Sequence, residues 1–161
     1  MTTRISFVCL GNICRSPTAE GVARHLLAER DQMDVEVESA GTGAYHVGNP
    51  PDRRATEAAA DRGIALDGRA RKFDPDDFGR LDLVLAMDRA NLADLQAAAA
   101  GVEDPPPIRL LREWDAEAGT DRDVPDPYYG GADGFEEVLD MVTRSVEQLL
   151  DEIDEGRIGP I

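Results

Sequence analysis

The chain has 161 residues, with 33 acidic side chains against 17 lysines and arginines and a formal net charge of −16. That length predicts one domain, residues 1–161, with room for a proper core, and the charge argues against nucleic acid and anionic membranes as partners. Two cysteines, Cys9 and Cys14, and two histidines without ligand spacing, His25 and His46, make neither a disulfide framework nor a metal site, so no metal and no cofactor is expected.

No segment approaches the length of a transmembrane helix, and Met1 to Val8 lacks the apolar run of a signal peptide, so a cytoplasmic setting is expected. The acidity is mostly Asp, and Lys72 is the single lysine. Adaptation to high salt and compositional drift in a GC-rich genome both account for this.

Arg4 to Cys9 is a short apolar run that predicts a buried strand. A tight loop, Leu10 to Arg15, follows. Ser16 is placed to cap the next helix and Pro17 suits its first turn. Ala19, Val22, Ala23, Leu26 and Leu27 then recur at helical spacing. Val35 to Ser39 alternates as a second strand, and a helix is expected over about 52–62, ended by Gly63. Leu81 to Met87 is the clearest buried strand. Asp88 can cap a helix carrying Leu92 and Leu95, and Pro105-Pro106-Pro107 reads as a loop before a fourth strand, Ile108 to Leu111. Asp133 with Glu136 resembles a capping box, and Phe135, Val138, Leu139, Val142, Val146, Leu149, Leu150 and Ile153 line one face of a long last helix. Alternating strands and helices predict an α/β fold: a four-stranded parallel sheet, helices on both faces, right-handed crossovers, and ligands at the C-terminal ends of the strands.

The loop Cys9-Leu10-Gly11-Asn12-Ile13-Cys14-Arg15-Ser16-Pro17 stands at such an end. Cys-x5-Arg alone is a weak signal. Between a strand and a helix it becomes a phosphate-binding loop, because successive backbone N–H groups and the helix N-terminus converge on one point. Gly11 permits strained backbone and close ligand approach, and the Arg15 fork matches two phosphate oxygens. The same groups favour a thiolate at Cys9, ready to attack phosphorus.

This loop resembles the signature of the low-molecular-weight protein tyrosine phosphatases. The resemblance extends to Ser39-Ala40-Gly41-Thr42, to Leu83–Met87 with Asp88, and to Asp126-Pro127-Tyr128-Tyr129-Gly130, in order along the chain from Ile5 to about Leu150. It implies a protein tyrosine phosphatase, with a phosphotyrosine-containing protein as partner and a monomer or weak dimer as the working form. Cys9 would be the nucleophile, Arg15 the phosphate clamp, and Asp126 the general acid and then base. Spacing alone does not choose Asp126 over Asp123. The loop residues Leu10, Gly11, Asn12, Ile13, Cys14 and Ser16 would contact phosphate or shape its cradle, with Ser39 supporting Asn12 and Ser16. Tyr128 and Tyr129 would wall the entrance, with Tyr45 opposite. Cys14 would be a redox partner that traps oxidised Cys9 as a disulfide. Gly68 stands where some relatives carry a histidine in the loop's network, which implies a loop held differently here. His25 reads as a surface residue, His46 as an ordinary loop residue after Tyr45 in preference to a substrate contact, and Trp114 as packing under the loop that leads to Asp126.

Two enzymatic rivals remain. Thiol-coupled arsenate reductases resemble this loop but need relay cysteines downstream, and there are none after Cys14. Phosphoarginine phosphatases resemble it with threonine at the position of Ile13, whose lack of a hydroxyl favours phosphotyrosine. A phosphate-binding module without catalysis would not need Cys9, Arg15 and Asp126 together.

Overall fold

The structure, a computed structural model, describes residues 2–32, 34–128, 130–131 and 133–156. Four parallel strands, β1 (Thr3–Cys9), β2 (Val35–Gly41), β3 (Leu83–Ala86) and β4 (Ile108–Leu110), pair in the order β2-β1-β3-β4. Four helices connect or follow them: α1 (Arg15–Glu29), α2 (Arg53–Ala60), α3 (Arg89–Ala99) and α4 (Asp133–Asp154). Strand alternation sorts the side chains. Ile5, Phe7, Leu83 and Leu85 join α1, α2 and α4 on one face of the sheet, while Val8, Val84 and Ala86 join Leu95 and Ala99 of α3 on the other. The doubly faced parallel sheet is therefore as the sequence predicts. All eight apolar positions expected on α4 are buried.

Local differences have physical causes. β2 runs on to Gly41, paired with Cys9, because a Cβ at Gly41 would lie 2.7 Å from the Leu10 carbonyl oxygen and only glycine allows that approach. β3 is shorter than Leu81–Met87; a 3-10 turn over residues 75–80, capped by Asp74, precedes it and leads into this interior strand. A second 3-10 turn, Leu111–Trp114, takes over from β4. Asp133 is the first residue of α4 rather than its cap. His25 pairs with Glu29, and Trp114 packs on the core with its indole N–H donating to Glu152 at 2.7 Å.

From β1 the chain turns one way to β2 and then crosses back to β3 on the other side. The crevice outside the C-terminal end of β1 is thus the topological switch point, where ligands bind in open α/β sheets.

The route to Asp126 is anchored by a buried ion cluster. The fully buried Asp115 carboxylate accepts from Arg112 at 3.0 Å and from Arg144 at 3.0 and 3.1 Å, and Arg112 also donates to the carbonyls of Asp121 and Asp123. Burial alone would raise the Asp115 pKa. Arg144, the Glu117 N–H and Arg112 outweigh it and hold the carboxyl below its usual 3.8. A folded pKa below the unfolded one means that this stabilisation is complete above the unfolded value and is lost as pH falls through the folded one. Asp115→Ala leaves Arg112 buried and unpaired, and should cost about 3–5 kcal/mol in urea unfolding. A loss under about 1 kcal/mol, the range of an exposed ion pair, would contradict that reading.

Candidate active site

The loop between β1 and α1 is oriented by its carbonyls. Those of Cys9, Leu10, Ile13 and Cys14 accept N–H bonds from Thr42, Gly43, Asp52 and Thr18 at 2.8, 2.9, 2.8 and 3.2 Å. In trans peptides the following N–H groups, those of Leu10, Gly11, Cys14 and Arg15, point the opposite way, into the crevice. Four donors and the N-terminus of a 15-residue helix thus surround one anion-sized position.

Asn12 carries the strain of this turn. Its φ of 56° lies in the left-handed region, which Asn tolerates better than most residues. Gly11, expected to take that role, does not adopt a positive φ. It is glycine because a Cβ there would lie 2.9 Å from the His46 ring. Three bonds hold Asn12: its amide nitrogen donates to Ser16 Oγ at 2.8 Å and Ser39 Oγ at 3.0 Å, and its Oδ1 accepts the Arg71 N–H at 3.0 Å. Ser39 in turn donates to Glu20 at 2.6 Å. Gly68 lies at φ +93° with open space where a side chain would be, and it is the Arg71 backbone N–H that bonds Asn12 Oδ1. Arg71 is itself fixed by ion pairs to Glu38 and Asp77.

Ser16 is not the helix cap. The cap position is Cys14, and Ser16 is the second residue of the helix, within its first turn, with its hydroxyl 3.0 Å from Cys9 Sγ. Because Asn12 donates to that hydroxyl, the Ser16 proton is free for the sulfur, against a longer 3.4 Å contact to the Ala40 carbonyl. The Asn12 N–H also donates to Sγ, at 3.3 Å. Both contacts fix the position of the sulfur. The side chains of Asn12 and Ser16 are buried behind the crevice rather than lining it.

Arg15 is 3% exposed and held on one side. Its Nη1 donates to Asp88 Oδ2 at 2.6 Å and to the Val124 carbonyl at 3.0 Å, leaving Nη2 toward the crevice, 3.6 Å from Asp126 Oδ2. Burial would lower the guanidinium pKa, but Cys9, Asp88 and Asp126 raise it above its ordinary value. Asp88 does two jobs, since its other oxygen caps α3 at the Asn91 N–H, 2.8 Å away. Sequence reasoning found only the cap. The available signal was a carboxylate just after β3, at the same end of the sheet as the loop.

Asp126 accepts the Tyr128 N–H at 3.0 Å and lines the crevice, whereas Asp123 is turned to Arg89. The cavity, about 340 Å³, is lined by Cys9, Arg15, Asp126, Ile13 and, at its mouth, Tyr45 and Tyr128. Tyr129 lies outside the described residues. His46, read from the sequence as an ordinary loop residue rather than a substrate contact, lies in the lining with its ring 5.8 Å from that of Tyr128. Arg54, which sequence reasoning missed, donates to the Tyr128 carbonyl at 3.0 Å and sits over the rings of Tyr128 and Phe135. Arg54→Ala should lower kcat on a phosphotyrosine peptide by loosening the Asp126 segment, while the melting temperature holds. An unchanged kcat would contradict this positioning role.

Cys14 is buried beside the catalytic thiol. Burial, then Asp52, Cys9 and Asp126, push its thiol up to about 12. It stays protonated at pH 7, so iodoacetate should label Cys9 first on peptide mapping. Equal labelling would contradict this.

Fold and site together define an α/β protein with a thiol at the floor of a backbone oxyanion cradle. The family model described as low molecular weight phosphotyrosine protein phosphatase matches residues 4–157. The chain is 50% identical over 152 residues to a low molecular weight protein-tyrosine-phosphatase of Streptomyces coelicolor, covering 93% of each. The crystal structure of YfkJ from Bacillus subtilis is similar at a TM-score of 0.88 and 38% identity, covering 98% of both chains. That of a drosophila arginine phosphatase is similar at 0.87 and 32%, covering 92% of this chain and 96% of that one. The chain belongs to the low molecular weight phosphotyrosine protein phosphatase family and is a hydrolase of phosphoric monoesters.

Proposed function

We propose that the chain removes phosphate from phosphotyrosine in proteins by two in-line displacements at Cys9. The observation that carries this reading is one aromatic-mouthed cavity faced by the Cys9 thiol, the Arg15 fork and the Asp126 carboxylate. In the first step Cys9 Sγ bonds to phosphorus as the bond to the tyrosine oxygen breaks, and protonated Asp126 gives its proton to that oxygen, so that tyrosine leaves neutral. The loop N–H groups and Arg15 hold the three equatorial oxygens. In the second step Asp126, now a carboxylate, takes a proton from water. The water oxygen bonds to phosphorus, and the S–P bond breaks to return the thiolate and inorganic phosphate.

Ile13 offers the cavity an apolar side chain without a hydroxyl, which favours an aryl phosphate over a phosphoguanidinium. Cys14 is the thiol that would condense with Cys9 once it is oxidised to a sulfenic acid, releasing water and forming a disulfide. Two free buried thiols suit the reducing cytoplasm. Among the described residues no helix is long and apolar enough to cross a membrane.

The test is phosphate release, with chelator and at low and high salt, from otherwise identical peptides carrying phosphotyrosine, phosphoserine or phosphoarginine. Metal-independent turnover preferring phosphotyrosine is expected. Preference for phosphoarginine, or no turnover by the folded protein, would overturn the reading.

A further inference from the structure

A second cleft, about 540 Å³, adjoins the catalytic cavity, and the two share Leu10 and Tyr45 as a common ridge. Leu10 is 41% and Tyr45 77% exposed. They and Val47, which lines neither cavity, are the large hydrophobic residues left exposed among the described residues. Scattered exposed apolar side chains need no explanation, but the pairing of Leu10 and Tyr45 on one rim between two cavities marks a binding surface.

The cleft's floor is apolar, built by Phe73 and Leu95 from the α3 side of the core, with Ala98 half-buried on α3. Its charge is unfavourable to anions: Asp74 and Asp94 stand at the wall against the single Lys72. Thr42 also lines it.

We propose that this cleft is a specificity subsite that takes an uncharged apolar side chain of the substrate protein, a few residues from the phosphotyrosine. The inference rests on the phosphatase reading above. A substrate seated with its phosphotyrosine ring between Tyr45 and Tyr128 must lead its chain away over the mouth, and the ridge of Leu10 and Tyr45 opens directly into this cleft. Continuity with the catalytic cavity fixes the occupant as the same peptide. The apolar floor and net negative wall select Leu, Ile or Phe over Asp or Glu. Desolvating one such side chain in a partly open cleft should raise kcat/KM about tenfold.

The experiment measures kcat/KM on a set of phosphotyrosine peptides in an alanine background, with one Leu or one Glu placed in turn at each of three positions on either side. p-Nitrophenyl phosphate, which fills the catalytic cavity alone, serves as the control. At one position Leu should exceed Ala by about tenfold and Glu should fall below Ala. Ala98→Glu, at the half-buried position of α3 that lines the cleft away from the catalytic groups, should erase the Leu preference while leaving p-nitrophenyl phosphate turnover unchanged. Equal rates across the series, or a Leu preference that survives Ala98→Glu, would overturn the subsite while the phosphatase reading stands. Absence of p-nitrophenyl phosphate turnover by the wild type would overturn the phosphatase reading and this inference with it.

Discussion

Cys9→Ser should fold like the wild type and release no measurable phosphate from a phosphotyrosine peptide. The sulfur is buried, 3.0 Å from the Ser16 hydroxyl and 3.3 Å from the Asn12 N–H. An oxygen in its place keeps both contacts, so the loop and the melting temperature should hold. A hydroxyl is nonetheless far weaker than a thiolate as a nucleophile. Among the described residues no carboxylate or imidazole is bonded to this position to act as a base for serine. Removing a nucleophile costs on the order of 10⁶ in kcat where it has been measured. The anion cradle survives the change, so inorganic phosphate should still bind to the variant and raise its melting temperature. Substantial residual turnover would mean that phosphorus is attacked by water directly.

Asp126→Asn should lower kcat on the same peptide by roughly 10² to 10⁴, the contribution of a positioned proton donor. The amide oxygen can still accept the Tyr128 N–H at the place where Oδ1 now does, so the segment keeps its course and the loss reports chemistry. The size of the loss should depend on the leaving group. Tyrosine must leave protonated, whereas p-nitrophenolate leaves readily as an anion, so the variant should lose much less on p-nitrophenyl phosphate in the first step. An equal loss on both substrates would show that Asp126 holds structure or acts only in the second step. Losing the carboxylate also removes a negative charge 3.6 Å from Arg15, so phosphate should bind no more weakly than to the wild type.

The strands and the long last helix were legible because burial writes a period into the sequence. Eight apolar positions of α4 face the core, and the β1 and β3 runs are buried on both faces. The loop was legible because its function is local: Cys9, Arg15 and the helix start lie within seven residues, so spacing and chemistry coincide. What sequence reading misplaced depends on contacts across the chain. Ser16 looks like a cap until the turn shows that Cys14 occupies the cap and Ser16 faces the sulfur. Gly11 looks like a conformational glycine until the His46 ring is seen against it. Asp88 and Arg15 are 73 positions apart, and Arg54 and the Tyr128 carbonyl are 74 apart. No local pattern encodes such pairs. The choice of Asp126 over Asp123 had the same character, because both stand in one polar loop and only the fold turns Asp123 to Arg89 and Asp126 to the cavity.

The central claim is that phosphate passes through a covalent bond to Cys9. The direct measurement mixes enzyme with a phosphotyrosine peptide, quenches in acid within milliseconds, and maps the digested protein by mass spectrometry. The predicted result is one added phosphoryl group on the peptide containing Cys9, formed before steady state and absent from Cys9→Ser. An active enzyme that shows no such adduct at any quench time, or that carries it on another residue, would contradict the account.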